Sequence, residues 1–196
     1  MLEILSQPAA RVAVLAMALG QMVMVLIMVI TSLHMRDHEH ELGDISLVIS
    51  AHTFGMYAFS ILSGRLSDRF GRRPIILFGT STLILACLAA TLSPEVLPLG
   101  LALFLLGLGW NFCFVGGSTL LADQLSVLER ARTQGFNDLL VGLASAIGSL
   151  SSGMIFAAVG YEVMAYLSAA LAVIPFAAAL AWSQGRLRSL QPASDT

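Results

Sequence analysis

Charge is almost absent from six stretches of this sequence and is crowded into the connections between them. Val12–Leu33, Ile45–Ser63, Pro74–Leu92, Leu97–Leu121, Phe136–Val159 and Val163–Trp182 are all predominantly apolar. Each is close to or beyond the run of about 20 apolar residues that a helix needs to cross the hydrocarbon core of a bilayer. A chain in hydrocarbon must satisfy its own backbone N–H and C=O groups, and segments this long do so as helices. Composition agrees: 57% of residues are hydrophobic and 11% charged, against roughly a quarter charged in an ordinary soluble domain. The short connections leave no room for a soluble domain. The sequence predicts an all-α, polytopic membrane protein. Residues 1–11 form an N-terminal tail, 12–183 one six-helix domain, and 184–196 a disordered tail containing Pro192. The first span is too long for a signal peptide and lacks a small-residue cleavage pattern, so it reads as a retained helix.

The densest knot of charge, Gly64-Arg65-Leu66-Ser67-Asp68-Arg69-Phe70-Gly71-Arg72-Arg73, falls between the second and third spans. Dragging it into hydrocarbon would cost several kcal/mol, so it belongs in a short loop at the membrane surface. It also sets the expected orientation. All ten basic residues are arginine, and with six spans both termini share a side with the second–third and fourth–fifth connections. Arg11, Arg65, Arg69, Arg72, Arg73, Arg130, Arg132, Arg186 and Arg188 fall on that side, and Arg36 alone falls opposite. Short arginine-rich connections stay in the cytoplasm, which predicts a cytoplasmic-membrane protein with both termini inside.

The spacing G-x-x-x-D-R-x-G-R-R resembles the signature loop between the second and third helices of a half of the major facilitator superfamily. The resemblance implies a six-helix half built as a 3+3 inverted repeat. It implies alternating-access transport of a small solute. The conformational gate would comprise Gly64, Asp68, Arg69, Gly71, Arg72 and Arg73, with Asp123 at the end of the fourth span as the acidic partner of Arg72. In the family the first glycine lets neighbouring helices close up, and the aspartate reaches the opposite half. His52–Met56, Gly109–Leu121 and Gln134–Asp138 look like parts of the second half of certain bacterial twelve-helix members. The chain is then expected to be a fragment, a split-gene product or a half-transporter that pairs, needing a second six-helix half for a complete pathway. Membrane lipid and a small-molecule substrate are the other expected partners. A non-transporting scaffold or sensor that keeps the fold is the alternative.

The character of the spans fits that division. The third and sixth carry no charge and no amide, and can face lipid all round. The fifth is laden with small residues, from Gly142 through Gly148 to Gly153, and should be packed on several sides. Polar residues inside the spans are the candidates for a substrate or proton pathway: Gln21, His52, Asn111, Asn137 and Asp138. Gln21 and Asn111 would line this half's share of the cavity. Asn111 lies about 10 Å and Asp138 roughly 8 Å from the arginine-rich face, at 1.5 Å rise per residue, so the two can meet. His52 is about 10 Å from Asp138 along the membrane normal, too far for direct pairing. Asp138 either shuttles protons or caps the inner end of its helix; for His52, coupling and structural roles stand level.

Other chemistries find little support. His34, His38 and His40 share an outer loop with Asp37, Glu39 and Glu41, but their spacing matches no closed zinc pattern and reads as a flexible solvated loop. Cys87 and Cys113 sit in separate spans and read as small apolar core residues. There is no phosphate-binding glycine loop, no nucleophile elbow and no basic aromatic surface for nucleic acid. No enzyme activity and no cofactor are expected. The Gly-Pro pair found in the fifth helix of antiporter-type family members is missing.

Overall fold

A computed structural model describes residues 6–190, with side chains placed as far as Trp182. It contains α1 (Pro8–Asp37), α2 (Leu42–Tyr57), α3 (Ser60–Phe70), α4 (Arg72–Ala89), α5 (Val96–Asp123) and α6 (Val127–Leu190). There is no strand among the described residues. The apolar part of α6 runs 56 residues to Trp182, about 84 Å at 1.5 Å per residue, far more than one crossing. It is broken at Gly160, whose φ of 78° and ψ of 177° reverse the chain where a side chain would be strained. The protein is therefore a multi-pass helical bundle with six crossings: α1, α2 with α3, α4, α5, and α6 on either side of Gly160.

Several boundaries move from their expected places. The second span runs on to Phe70 as two helices joined through Ala58 and Phe59. The charged knot is thus mostly helix rather than loop, and the turn itself is Gly71, at φ 92°. The expected N-terminal tail is helical from Pro8, and α6 continues past Gln184 to Leu190. Residues 1–5 and 191–196 of the two expected tails lie outside the described residues. The start of α6 is fixed by Ser126 and Glu129. The Glu129 carboxylate accepts hydrogen bonds from the Ser126 hydroxyl (2.6 Å) and backbone N–H (3.2 Å), a capping arrangement at the first turn. Pro175 lies inside α6, whose non-helical position is Gly160.

α1 and α5 form the centre of the bundle. α1 packs on α6 and α5, and α5 packs on α2 and α4. The most apolar stretch of each is 56% buried, against 22% for α2 with α3. Two expectations about surfaces fail. α4 is not lipid-facing all round, since Ile75, Ile76, Gly79, Thr80, Leu83, Ala86 and Cys87 are buried against its neighbours. Nor is the small-residue stripe of the fifth span packed on several sides. Nothing approaches within 4 Å of a Cβ at Gly135, Gly142 or Gly153, and Leu139, Leu143, Ile147 and Leu150 beside them are exposed. Gly148 alone in the stripe meets a backbone, the Met22 carbonyl of α1, at 3.3 Å. Small residues permit close packing but do not supply the neighbour.

Candidate functional site

At the arginine end of the bundle, α3 hands over to α4 through Gly71, which places Asp68 and Arg72 one turn apart. The Arg72 guanidinium donates from Nη1 to Asp68 Oδ1 (2.5 Å) and from Nε to Asp123 Oδ2 (2.9 Å). One cation thus ties the last turn of α3 to its own helix, α4, and to the C-terminal end of α5. Asp68 was expected to reach beyond this half; here it is held by Arg72, with its side chain 72% exposed. Arg73 donates from Nε to the Ala179 carbonyl (3.2 Å), fastening α4 to α6. Arg69 lies over the Phe70 ring at 5.4 Å. A Cβ at Gly64 would meet nothing within 4 Å, so the close helix approach expected there is not made within this chain.

A second cluster lies between α2, α3 and α5. Side chains at Gly55 and Gly107 would run into the Phe104 and His52 carbonyl oxygens, so only glycine lets the two backbones meet this closely. His52 is fully buried in that crossing, with Nδ1 3.0 Å from the Leu103 carbonyl and Nε2 without a partner. One turn towards the arginine end, Asn111 donates to the Met56 carbonyl (2.7 Å) and Ser60 hydroxyl (2.9 Å), and accepts from the Ser63 hydroxyl (2.5 Å). Those acceptors belong to the break between α2 and α3, whose freed backbone carbonyl the amide satisfies. Asn111 is 2% exposed, so it is a seam residue and does not line an open cavity. Nor does it meet Asp138. Asp138 is exposed and lies well inside α6, which begins at Val127, so it does not cap that helix.

The third cluster centres on Gln21. Its carbonyl oxygen accepts from Trp110 Nε1 (2.6 Å) and its amide donates to the Ser145 hydroxyl (3.3 Å), joining α1, α5 and α6. The Trp110 ring stacks on Phe114 with centroids 5.1 Å apart and meets Tyr57 edge-on at 6.1 Å. All of these residues keep some exposure, so together they form a polar and aromatic surface patch. Asn137 is buried nearby on α6, its amide 3.5 Å from Met17 Sδ and its carbonyl oxygen without a partner. Sequence reasoning found Gln21 but missed Trp110, Tyr57 and Phe114, because aromatic residues in an apolar span carry no distinguishing pattern.

The opposite, histidine end is tied rather than flexible. His34 stacks flat on Tyr161 at 4.0 Å, and the Tyr161 hydroxyl is 2.9 Å from Thr31 Oγ1. His38 Nδ1 is 2.8 Å from the His34 carbonyl, and His40 Nε2 is 2.9 Å from the Pro94 carbonyl. These contacts join the end of α1 to the Gly160 turn and to the connection before α5.

Asp68, Gly71, Arg72 and Asp123 thus meet at one end of the bundle, and comparison with known proteins gives the family. The model of the Major Facilitator Superfamily matches residues 12–194. The chain belongs to the major facilitator superfamily. It is 41% identical to an uncharacterized MFS-type transporter of Bacillus subtilis, YdeG, over 87% of this chain and 40% of that protein. A second such protein of Bacillus subtilis, YddS, is 39% identical over 83% of this chain and 38% of its own length. The riboflavin transporter RfnT of Brucella anthropi is 30% identical over 84% of this chain and 42% of its own length. The chain thus spans about two fifths of the length of these curated relatives. The Asp68–Arg72–Asp123 contact is a network of partly exposed ion pairs at one end of the bundle.

Proposed function

We propose that this chain forms one half of an alternating-access secondary transporter for a small solute, with Arg72 closing the arginine end, on the cytoplasmic side. The observation that carries the reading is the single guanidinium shared between Asp68 and Asp123, which gathers the ends of three helices of this half and leaves the Asp68 side chain 72% exposed to a second half. Ion pairs of this exposure contribute little to stability, roughly 0–1 kcal/mol each, and so are readily exchanged between two states. Gln21, Trp110 and Ser145 form this half's share of the solute path. The exposed apolar flanks of α2 and of α6 before Gly160 meet the second half, supplied by another copy or by a separate six-helix segment. Gly64 and the glycine stripe of α6 provide close approach for that partner, as small residues do between membrane helices.

The test is reconstitution of the complete assembly into proteoliposomes, with riboflavin as the first solute offered, given the RfnT relative. Wild-type protein is expected to take up solute. Asp68→Asn and Arg72→Ala should insert normally and lose most of it. Unchanged uptake in both variants sinks the gate. A cysteine at Leu150, which is 78% exposed, should crosslink to a partner chain in native membranes, and a purely monomeric product sinks the paired-half reading.

A further inference from the structure

A cavity of about 600 Å³ opens at the arginine end, away from the Gln21 cluster. It lies where the start of α1, the start of α4, the end of α5 and the far part of α6 come together. Arg72, Arg73, Gln7, Gln124 and Trp182 line it, with Asp123 as its one carboxylate. Its apolar floor is Ala9 and Leu120, part of the cluster against which Trp182 packs. The two guanidinium groups differ. Arg72 is neutralised by Asp68 and Asp123. Arg73 has no carboxylate partner among the described residues; its Nε donates to the Ala179 carbonyl. Its side chain lines a recess that has both polar and apolar walls.

We propose that this recess binds the phosphate of an anionic phospholipid from the leaflet that the arginine end meets. The charge is complementary: a partly buried guanidinium presents a planar fork that matches two phosphate oxygens. The Gln7 and Gln124 amides supply donors for the headgroup, and the apolar floor with the Trp182 ring suits the glycerol and the first carbons of the acyl chains. Basic recesses between spans at this level are the physical setting in which phospholipid headgroups are held. A free phosphate would satisfy Arg73 but not the apolar floor, which is why the lipid is the occupant assigned. Because Arg72 lines the same recess, a bound headgroup would sit beside the Asp68–Arg72–Asp123 contact. The site does not depend on that contact opening.

The deciding experiment is native mass spectrometry, with thermal unfolding alongside, on the purified chain in a neutral detergent. The probes are phosphatidylglycerol, phosphatidylcholine and inorganic phosphate. Phosphatidylglycerol should bind and raise the unfolding temperature, and phosphatidylcholine should do so far less. Arg73→Gln should weaken phosphatidylglycerol about fivefold, the effect of one arginine at a charged membrane surface. Arg73→Lys keeps the charge but not the fork and should fall between wild type and Arg73→Gln, and Arg65→Gln should change nothing. Equal binding of the two lipids overturns the proposal, as does an unchanged preference in Arg73→Gln. Stabilisation by inorganic phosphate equal to that by phosphatidylglycerol overturns the lipid as occupant.

Discussion

Two contacts made by α5 join helices in opposite ways. Along the α2–α5 seam, backbones touch through Gly55 and Gly107, and His52 and Asn111 are shut away from solvent at 0% and 2% exposure. At the arginine end the charged contact to α5 is a guanidinium between Asp68 and Asp123, whose side chains are 72% and 48% exposed. The seam cannot be parted without uncovering backbone and amide groups in hydrocarbon, which costs several kcal/mol for each unsatisfied group. The arginine contact exchanges one set of ionic and water contacts for another. A molecule built this way has a rigid seam and, at one end, a set of exposed charges whose partners can be exchanged, which suits the proposed motion of this half against a second.

The largest effect that tests this contrast is expected at Gly107. Any side chain there meets the His52 carbonyl, so Gly107→Val should destabilise the bundle by about 3 kcal/mol or more. Thermal unfolding in detergent measures it. A variant as stable as wild type would mean that α2 and α5 are not locked together, and the contrast would collapse.

A smaller loss is expected at Asn111, where the side chain fills the seam and satisfies the break between α2 and α3. Asn111→Leu keeps the volume and leaves the Met56 carbonyl, Ser60 and Ser63 without their partner. A cost of about 1–2 kcal/mol follows for buried hydrogen bonds between membrane helices. If unfolding shows no loss, Asn111 is not structural, and its place on the solute pathway must be reconsidered.

How much of this was legible beforehand depended on whether a residue's partner lies within reach of a sequence pattern. Six crossings were readable because a bilayer imposes length and apolarity on every span. Arg72 with Asp123 was readable because the spacing of Gly64, Asp68, Gly71 and Arg72 resembles the family's signature loop, and that resemblance implies an acidic partner at the end of the fourth span. Asn111 was found as polar but placed wrongly: nothing in the sequence marks Tyr57 to Ser60 as a break whose carbonyl needs a donor. Asp138 was misplaced because the Ser126-x-x-Glu129 start signal of α6 went unused, and that signal moves the helix start upstream. The small residues of α6 were readable as a packing surface, but a stripe of glycines does not say which chain fills it.

The smallest change in stability, with the largest change in behaviour, is expected at Asp123. Asp123→Asn removes one of the two carboxylates on Arg72 but keeps the shape of the side chain. Exposed ion pairs contribute about 0.2–1 kcal/mol, so the unfolding temperature should barely move. The arginine end should nevertheless open more often, and a cysteine placed at Gln134, beside the Ser118 carbonyl of α5, should react faster with a membrane-impermeant maleimide. The native thiols do not interfere, because Cys87 and Cys113 are both buried. Salt supplies an internal control. Raising ionic strength from 0.1 M to 1 M shortens the screening length from about 10 Å to about 3 Å, so high salt should speed labelling of wild type towards the Asp123→Asn rate. It should leave the stability difference of Asn111→Leu untouched, because that seam is held by neutral groups out of reach of ions. Equal labelling in wild type and Asp123→Asn at low salt would show that the ion pairs are ornaments on a permanently closed end. The breakable tie would then have to be sought elsewhere, with the His34–Tyr161 stack at the opposite end as the next contact to cut.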